Sequence, residues 1–242
     1  VLKIFHMHDN EIQPNFRKWD QISKNSNSFE DTVNITIVGK YIQLKDAYKS
    51  LDEALYHGGL INKVKVNVEW LDSELLENSD PIHYLNKTDA ILIPGGFGKR
   101  GSIGKINAIR FARERKIPML GICFGMQMAV VEIAQNLLDL KDANTTEFVQ
   151  TEEPVVDLMT EWKKGQVTEV RDENTNLGGT MRLGAYDAVL KKGSKVHSIY
   201  QKNVISERHR HRWEVNIKYK DALENSGVIF SGMSPDGNLP EI

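Results

Sequence analysis

Short apolar runs alternate along this chain with longer stretches in which apolar residues recur at helical spacing. Val33–Val38 alternates and is rich in β-branched residues, which predicts a first strand. Ala47–His57 reads as an amphipathic helix, with Gly58 and Gly59 expected to stop it. Val64, Val66 and Val68 alternate with polar residues in a second strand expected to end near Trp70. Ala90-Ile91-Leu92-Ile93 is continuously apolar, as a parallel strand covered on both faces should be. Ile106–Arg115 predicts the next helix, Ile117-Pro118-Met119-Leu120 the next strand, and Met128–Leu138 an apolar-rich helix. This order predicts the α/β class: a doubly wound, mostly parallel sheet with helices on both faces and right-handed crossovers. From about Pro154 the runs shorten, which predicts mixed strands in the second half. Residues 1 to about 32 are polar and irregular, with Ser23–Ser28 expected to be flexible. They are expected to form a linker or a short helix leading into one domain over residues 33–242.

Composition narrows the picture mainly by exclusion. A formal net charge of -2 gives no electrostatic case for nucleic acid or an anionic membrane surface. No apolar run approaches the ~20 residues that a membrane span needs, and Val1–His6 is too short and too soon followed by polar residues to be a secretory signal. One cysteine in 242 residues excludes an internal disulfide framework and fits a reducing compartment, so a cytoplasmic location is expected.

That cysteine is the most informative residue. Cys123 lies in Gly121-Ile122-Cys123-Phe124-Gly125-Met126-Gln127, between an expected strand and an expected helix, with a glycine two positions to either side. A side chain on such a turn projects beyond the sheet, and the glycines let neighbouring backbone approach closely. The first turn of the following helix points N–H groups and the positive dipole end at the sulfur, which favours a nucleophilic thiolate. Pro94-Gly95-Gly96-Phe97-Gly98, at another strand end, has neither Walker spacing nor a dinucleotide fingerprint. It is suited to aim a backbone N–H at a developing oxyanion, with the Phe124 N–H as the second donor. Arg208-His209-Arg210-His211-Arg212, if extended, puts three arginines on one face and two histidines on the other. It is expected to be a strand whose Arg208 and Arg210 pair with acidic neighbours and whose histidines are structural.

Cys123 in its Gly-bracketed motif, with Pro94–Gly98 upstream, resembles the class I glutamine amidotransferases, a flavodoxin-like fold. Val38-Gly39-Lys40-Tyr41, Asp46–Ser50, Asn144–Phe148, Gly178–Gly184 and Glu207–Arg212 make the chain similar, from about residue 33 onward, to the glutaminase domains of the CTP synthase family. The resemblance implies hydrolysis of L-glutamine through a γ-glutamyl thioester on Cys123. Gly96 and Phe124 match the oxyanion positions. Phe124, Gly125, Met126 and Gln127 match the substrate-contacting run, together with Gly96. Glu147 and Arg212 match the groups that hold the α-amino and α-carboxylate ends; a zwitterion needs one anionic and one cationic partner, and Arg grips a carboxylate bidentately.

The resemblance also implies that this domain needs no cofactor or metal. ATP, UTP and Mg²⁺ belong to a synthetase domain of the same polypeptide that receives the ammonia and assembles the homo-oligomer, and residues 1–32 would be the linker from it. In the family a histidine base and its orienting glutamate come from a His-Pro-Glu motif. None of His6, His8, His57, His83, His197, His209 and His211 precedes Pro-Glu, and the chain ends at Ile242, so the C-terminal end of the domain is expected to be missing and the fragment poorly active. Ile103 stands where the family often carries an acidic residue near the presumed GTP activator, so a GTP effector site is not carried over.

Overall fold

The computed structural model describes residues 15–26, 28–158, 161–164, 167–170 and 181–242. They group into two compact units, one drawn from Val1–Asn34 with Leu44–Val68, the other from Ile35–Gln43 with Glu69–Ile242.

The first unit holds helix α1 (Arg17–Ser26) and, after the opening residues of strand β1 (Asp31–Gly39), helix α2 (Lys49–Asn62) and the start of strand β2 (Val64–Asp72). Two expectations change here. Ser23–Ser26 is the last turn of α1, where Ser26 Oγ donates to the Ser23 carbonyl at 2.8 Å. Helix α2 runs through Gly58 and Gly59 and ends at Lys63, which adopts the left-handed conformation (φ 56°) and donates its N–H to the Gly59 carbonyl. Gly59 is needed for close approach: a Cβ there would sit 2.6 Å from the Val64 carbonyl oxygen.

The second unit contains the rest of β1 and β2, helix α3 (Ile82–Leu85), strand β3 (Ala90–Ile93), helix α4 (Ser102–Arg115), strand β4 (Met119–Gly121) and helix α5 (Phe124–Leu137). The sheet order is β2-β1-β3-β4. Strands β1 and β3 pair in parallel with Ile35 beside Ala90, and β3 pairs in parallel with β4 through Ile91 and Met119. Both α4 and α5 start earlier than apolar spacing predicts, because their first turns hold Gly104 and Gly125, which read as helix-breaking in the sequence but sit at close backbone contacts in the structure. Val38, Ile91, Ile93, Phe124, Met128 and Val131 form the core at this level and continue into Val155, Val156 and Val215. Burying each such side chain contributes about 1.5–3 kcal/mol.

The remaining strands are β5 (Asn144–Thr145), β6 (Pro154–Leu158), β7 (Glu161–Lys164), β8 (Val167–Val170), β9 (Arg182–Leu190), β10 (Val204–His211), β11 (Trp213–Val215) and β12 (Gly232–Met233). They pair in a mixed fashion, as expected, with β5 and β6 parallel and the other pairs antiparallel, but not all are shorter: β9 has 9 residues and β10 has 8. Helices α6 (Lys195–Tyr200) and α7 (Lys220–Asn225) lie between them in sequence. They form sheets β10-β9-β12 and β11-β6-β5 and a β7-β8 pair. Gly178–Thr180 of the sequence motif lies outside the described residues.

Candidate active site

Strands β3 and β4 run in parallel, so the loops that leave their carboxyl ends lie side by side. This is where open α/β sheets bind ligands. Cys123 caps α5 with φ 55° and ψ −106°, a conformation that L-residues avoid and that costs about 1–3 kcal/mol. The glycine bracket makes it possible. A Cβ on Gly125 would sit 2.2 Å from the Ile93 carbonyl oxygen, and one on Gly121 would sit 2.7 Å from the Gly125 carbonyl carbon. Strand, turn and helix pack backbone to backbone at the elbow, and the cysteine side chain stands at its crest, partly exposed.

The Pro94–Gly98 loop closes on that crest. A Cβ on Gly95 would lie 3.5 Å from Cys123 Cβ and 3.8 Å from its Sγ. The structure thus places the glycine loop against the sulfur. The Phe124 N–H belongs to the first turn of α5, where helix geometry supplies no partner. Two lysines hold this loop. Lys40 Nζ donates to the Phe97 carbonyl at 2.7 Å and also to the Gly98 carbonyl. Lys105 is fully buried, donates to the Pro94 carbonyl at 3.1 Å, and faces the Gly96 position. Both ammonium groups lie over the Phe124 ring, at 5.0 and 4.9 Å from its centroid. Burial first, then the neighbouring Lys40 charge, pulls Lys105 down to about 7.

Glu147 is half-buried, and its carboxylate accepts from the Gly98 N–H at 2.5 Å. Burial raises its pKa, opposed by that hydrogen bond and by the charges of Lys40 and Arg212. The last influence brings Glu147 and Arg212 into one electrostatic neighbourhood. Arg212 is not on a strand as expected; β10 ends at His211 and Arg212 forms the bend before β11. Its Nε is buried without a hydrogen-bond partner. The alternation along β10 is as expected, with Arg208 and Arg210 exposed and His209 and His211 buried. Among the described residues, however, Arg210 meets the Phe97 ring, 5.9 Å from its centroid, and not a carboxylate.

The run after the cysteine divides by direction. Gly125 presses on β3, Met126 packs against the core, and Gln127 is buried with its amide donating to the Trp213 carbonyl at 2.6 Å. Gln127 therefore ties α5 to β11, the strand that follows Arg212.

Sequence reasoning gave the two histidines a structural role and did not single out Glu214. In the structure Cys123 Sγ lies 4.0 Å from the carbonyl oxygen of Arg210, the residue before His211. Glu214 Oε1 accepts from His211 Nδ1 at 2.8 Å. Burial alone would favour neutral imidazole, but the sulfur and the Glu214 carboxylate push His211 up to about 10. The His–x–x–Glu spacing of His211 and Glu214 was a signal in the sequence; the partner sulfur, 88 positions upstream by number (211 − 123), was not.

An α/β sheet with an elbow cysteine, a facing glycine loop, and Glu147 and Arg212 in one electrostatic neighbourhood defines an amidotransferase-type arrangement. Residues 43–242 match the family described as glutamine amidotransferase class-I, and the chain belongs to that family. Within it the chain is similar to CTP synthases. It is 61% identical over 229 residues to CTP synthase of Rhizobium johnstonii, covering 95% of this chain and 42% of that one. It is 60% identical over 241 residues to CTP synthase of Brucella anthropi, covering 100% and 44%. The chain thus spans less than half the length of these curated relatives. A solved structure of the Trypanosoma brucei CTPS glutaminase domain with bound acivicin superposes with a TM-score of 0.73 at 36% identity, covering 84% of this chain and 75% of that one. Among the described residues no cluster of metal-ligating side chains occurs, and no helix is long and apolar enough to cross a membrane.

Proposed function

We propose that this chain hydrolyses the side-chain amide of L-glutamine as the glutaminase part of a CTP synthase. The sulfur of Cys123 attacks the carboxamide carbon, ammonia leaves, and water cleaves the resulting γ-glutamyl thioester. The N–H groups of Gly96 and Phe124 receive the developing oxyanion; one such donor is typically worth roughly 10²–10³ in rate. Arg212, with a buried Nε that lacks a partner, takes the α-carboxylate. Glu147, anchored on Gly98, takes the α-amino group. Phe124, Gly125, Met126 and Gln127 contribute through the position of their backbone. The ammonia passes to a synthetase domain that aminates UTP with ATP and Mg²⁺, in a cytoplasmic homo-oligomer. Residues 1–32 are the connection to that domain, and 33–242 are the amidotransferase domain.

The observation that carries this reading is the left-handed Cys123 crest lying against Gly95. Acivicin, the compound bound in the trypanosomal domain, supplies the test. We expect a single adduct on Cys123 by mass spectrometry, slowed by L-glutamine and absent in Cys123→Ser. Modification that L-glutamine does not slow overturns the reading.

A further inference from the structure

We propose that Lys105 is a positioning residue for the glutamine chemistry: by holding the Pro94 carbonyl from beneath, it fixes the Gly95–Gly96 peptide so that the Gly96 N–H faces the site of the oxyanion. The proposal rests on the reading of Cys123 as the nucleophile and of Gly96 as an oxyanion donor.

A glycine pair is poor material for a fixed hydrogen-bond donor. Without a Cβ, Gly95 and Gly96 have more backbone freedom to lose than any other residue. Among the described residues neither N–H makes a hydrogen bond, so no partner within the chain sets its direction. The peptides on either side are pinned instead. Lys105 Nζ donates to the Pro94 carbonyl at 3.1 Å, immediately before the pair. Lys40 Nζ donates to the Phe97 carbonyl at 2.7 Å and also to the Gly98 carbonyl, immediately after it, and the Gly98 N–H is held by Glu147. The C=O and N–H of one trans peptide plane point in opposite directions. A Pro94 carbonyl turned toward Lys105 therefore turns the Gly95 N–H away from it. Lys105 Nζ also lies 3.9 Å from where a Gly96 Cβ would sit, which closes the space beneath the loop. With both ends held, the Gly95–Gly96 peptide has little room to flip. The same ammonium lies 4.9 Å from the Phe124 centroid, so one side chain touches the residues of both oxyanion donors.

The anchor is itself rigid. Lys105 lies early in α4, next to Gly104, where a Cβ would sit 1.7 Å from the Ser73 carbonyl oxygen. Asn107, further along α4, donates to the Leu76 carbonyl at 2.8 Å. Helix α4 is thus docked on the Ser73–Leu76 turn. Lys105 is fully buried, and among the described residues no carboxylate pairs with it. Its ammonium is surrounded by the Pro94 carbonyl, the Phe124 ring, Lys40 and the Cys123 sulfur. Burying such a cation is costly, and Met would fill a similar volume without that cost. What Lys supplies and Met does not is a donor to Pro94. With the pKa pulled down to about 7, the group can also be a neutral amine, which still donates.

The test compares two probes of one sulfur in wild type and Lys105→Met. Iodoacetamide alkylates by displacement at carbon, and no oxyanion forms. L-Glutamic acid γ-monohydroxamate, an activated analogue of the amide, acylates Cys123 through a tetrahedral oxyanion and releases hydroxylamine, which is measured. Both reactions need the thiolate, so the ratio of acylation to alkylation rates at one pH cancels any change in its ionisation. We expect that ratio to fall roughly 10–100-fold in Lys105→Met, somewhat less than outright loss of a donor. The L-glutamine concentration that half-protects Cys123 from iodoacetamide should not change, and the urea midpoint should equal or exceed that of wild type. A lysine with only a structural role would weaken protection and lower the midpoint while leaving the ratio alone. Should Lys105→Met fail to fold by circular dichroism, the shorter apolar Lys105→Leu carries the test. A wild-type ratio in the folded variant overturns the proposal and leaves the proposed function standing. Wild-type protein that iodoacetamide modifies and the hydroxamate does not acylate overturns both.

Discussion

The two walls of the site are built from opposite materials. The Cys123 wall is backbone. Gly121 and Gly125 let β3, β4 and the start of α5 touch directly, and the sulfur stands at the turn, facing Gly95. The β9–β10–β11 wall is side chain. There Arg182, His209, His211, Glu214 and Glu241 sit in the interior and satisfy one another's charge. The first wall relies on steric close-packing, which at Gly121 and Gly125 tolerates no added atom. The second relies on mutual neutralisation, which tolerates no removed charge. Each should fail in its own way.

Removing a charge should have the largest effect. In Arg182→Met, Glu241 and Glu214 stay buried without their cation, at a cost of about 3–5 kcal/mol. Urea denaturation should show this as a lower midpoint, and Arg182→Met with Glu241→Leu should recover part of it. A double variant no better than the single would mean that the pair is not a mutual compensation.

Adding an atom to the other wall comes next. Gly125→Ala drives a methyl into the Ile93 carbonyl and should cost about 1–3 kcal/mol, with loss of acivicin labelling as the elbow shifts. By contrast Gly95→Ala meets Cys123 at ordinary contact distances and should keep most of the stability while slowing labelling. Equal stability losses at the two positions would show that the elbow is softer than its geometry.

The smallest effect is in pH. Burial and the Arg182 charge depress His209 to about 4 from 6.5. Between those values the unfolded chain binds more protons, so stability falls as pH drops through this window. Glu241, raised by burial, works in the opposite sense. The difference between wild type and His209→Gln isolates the histidine: the variant should lose less stability from pH 6.5 to 4, on the order of 1 kcal/mol. Parallel curves would remove His209 from the charge network.

The backbone wall was legible because its requirements are local. A strand, a glycine bracket and a helix within a few residues can produce only a few shapes, and the position of Cys123 at the turn follows from that run. The sequence pattern also indicated the parallel first half, the mixed second half, and the alternation of Arg and His along β10. It misplaced the end of α2, since Gly59 serves a packing contact with Val64 and not a helix stop.

What only the tertiary structure decided is who meets whom. Lys105 beneath the glycine loop, Arg210 over Phe97, Gln127 on Trp213, and Cys123 at the Arg210 carbonyl all join residues from different elements. Local spacing carries no information on such pairs, because the partner of a buried charge is set by the sheet order and register that bring distant strands together. The sequence by itself determined that the cysteine stands at a strand-to-helix turn; the fold determined which glycine loop and which backbone carbonyl lie against it.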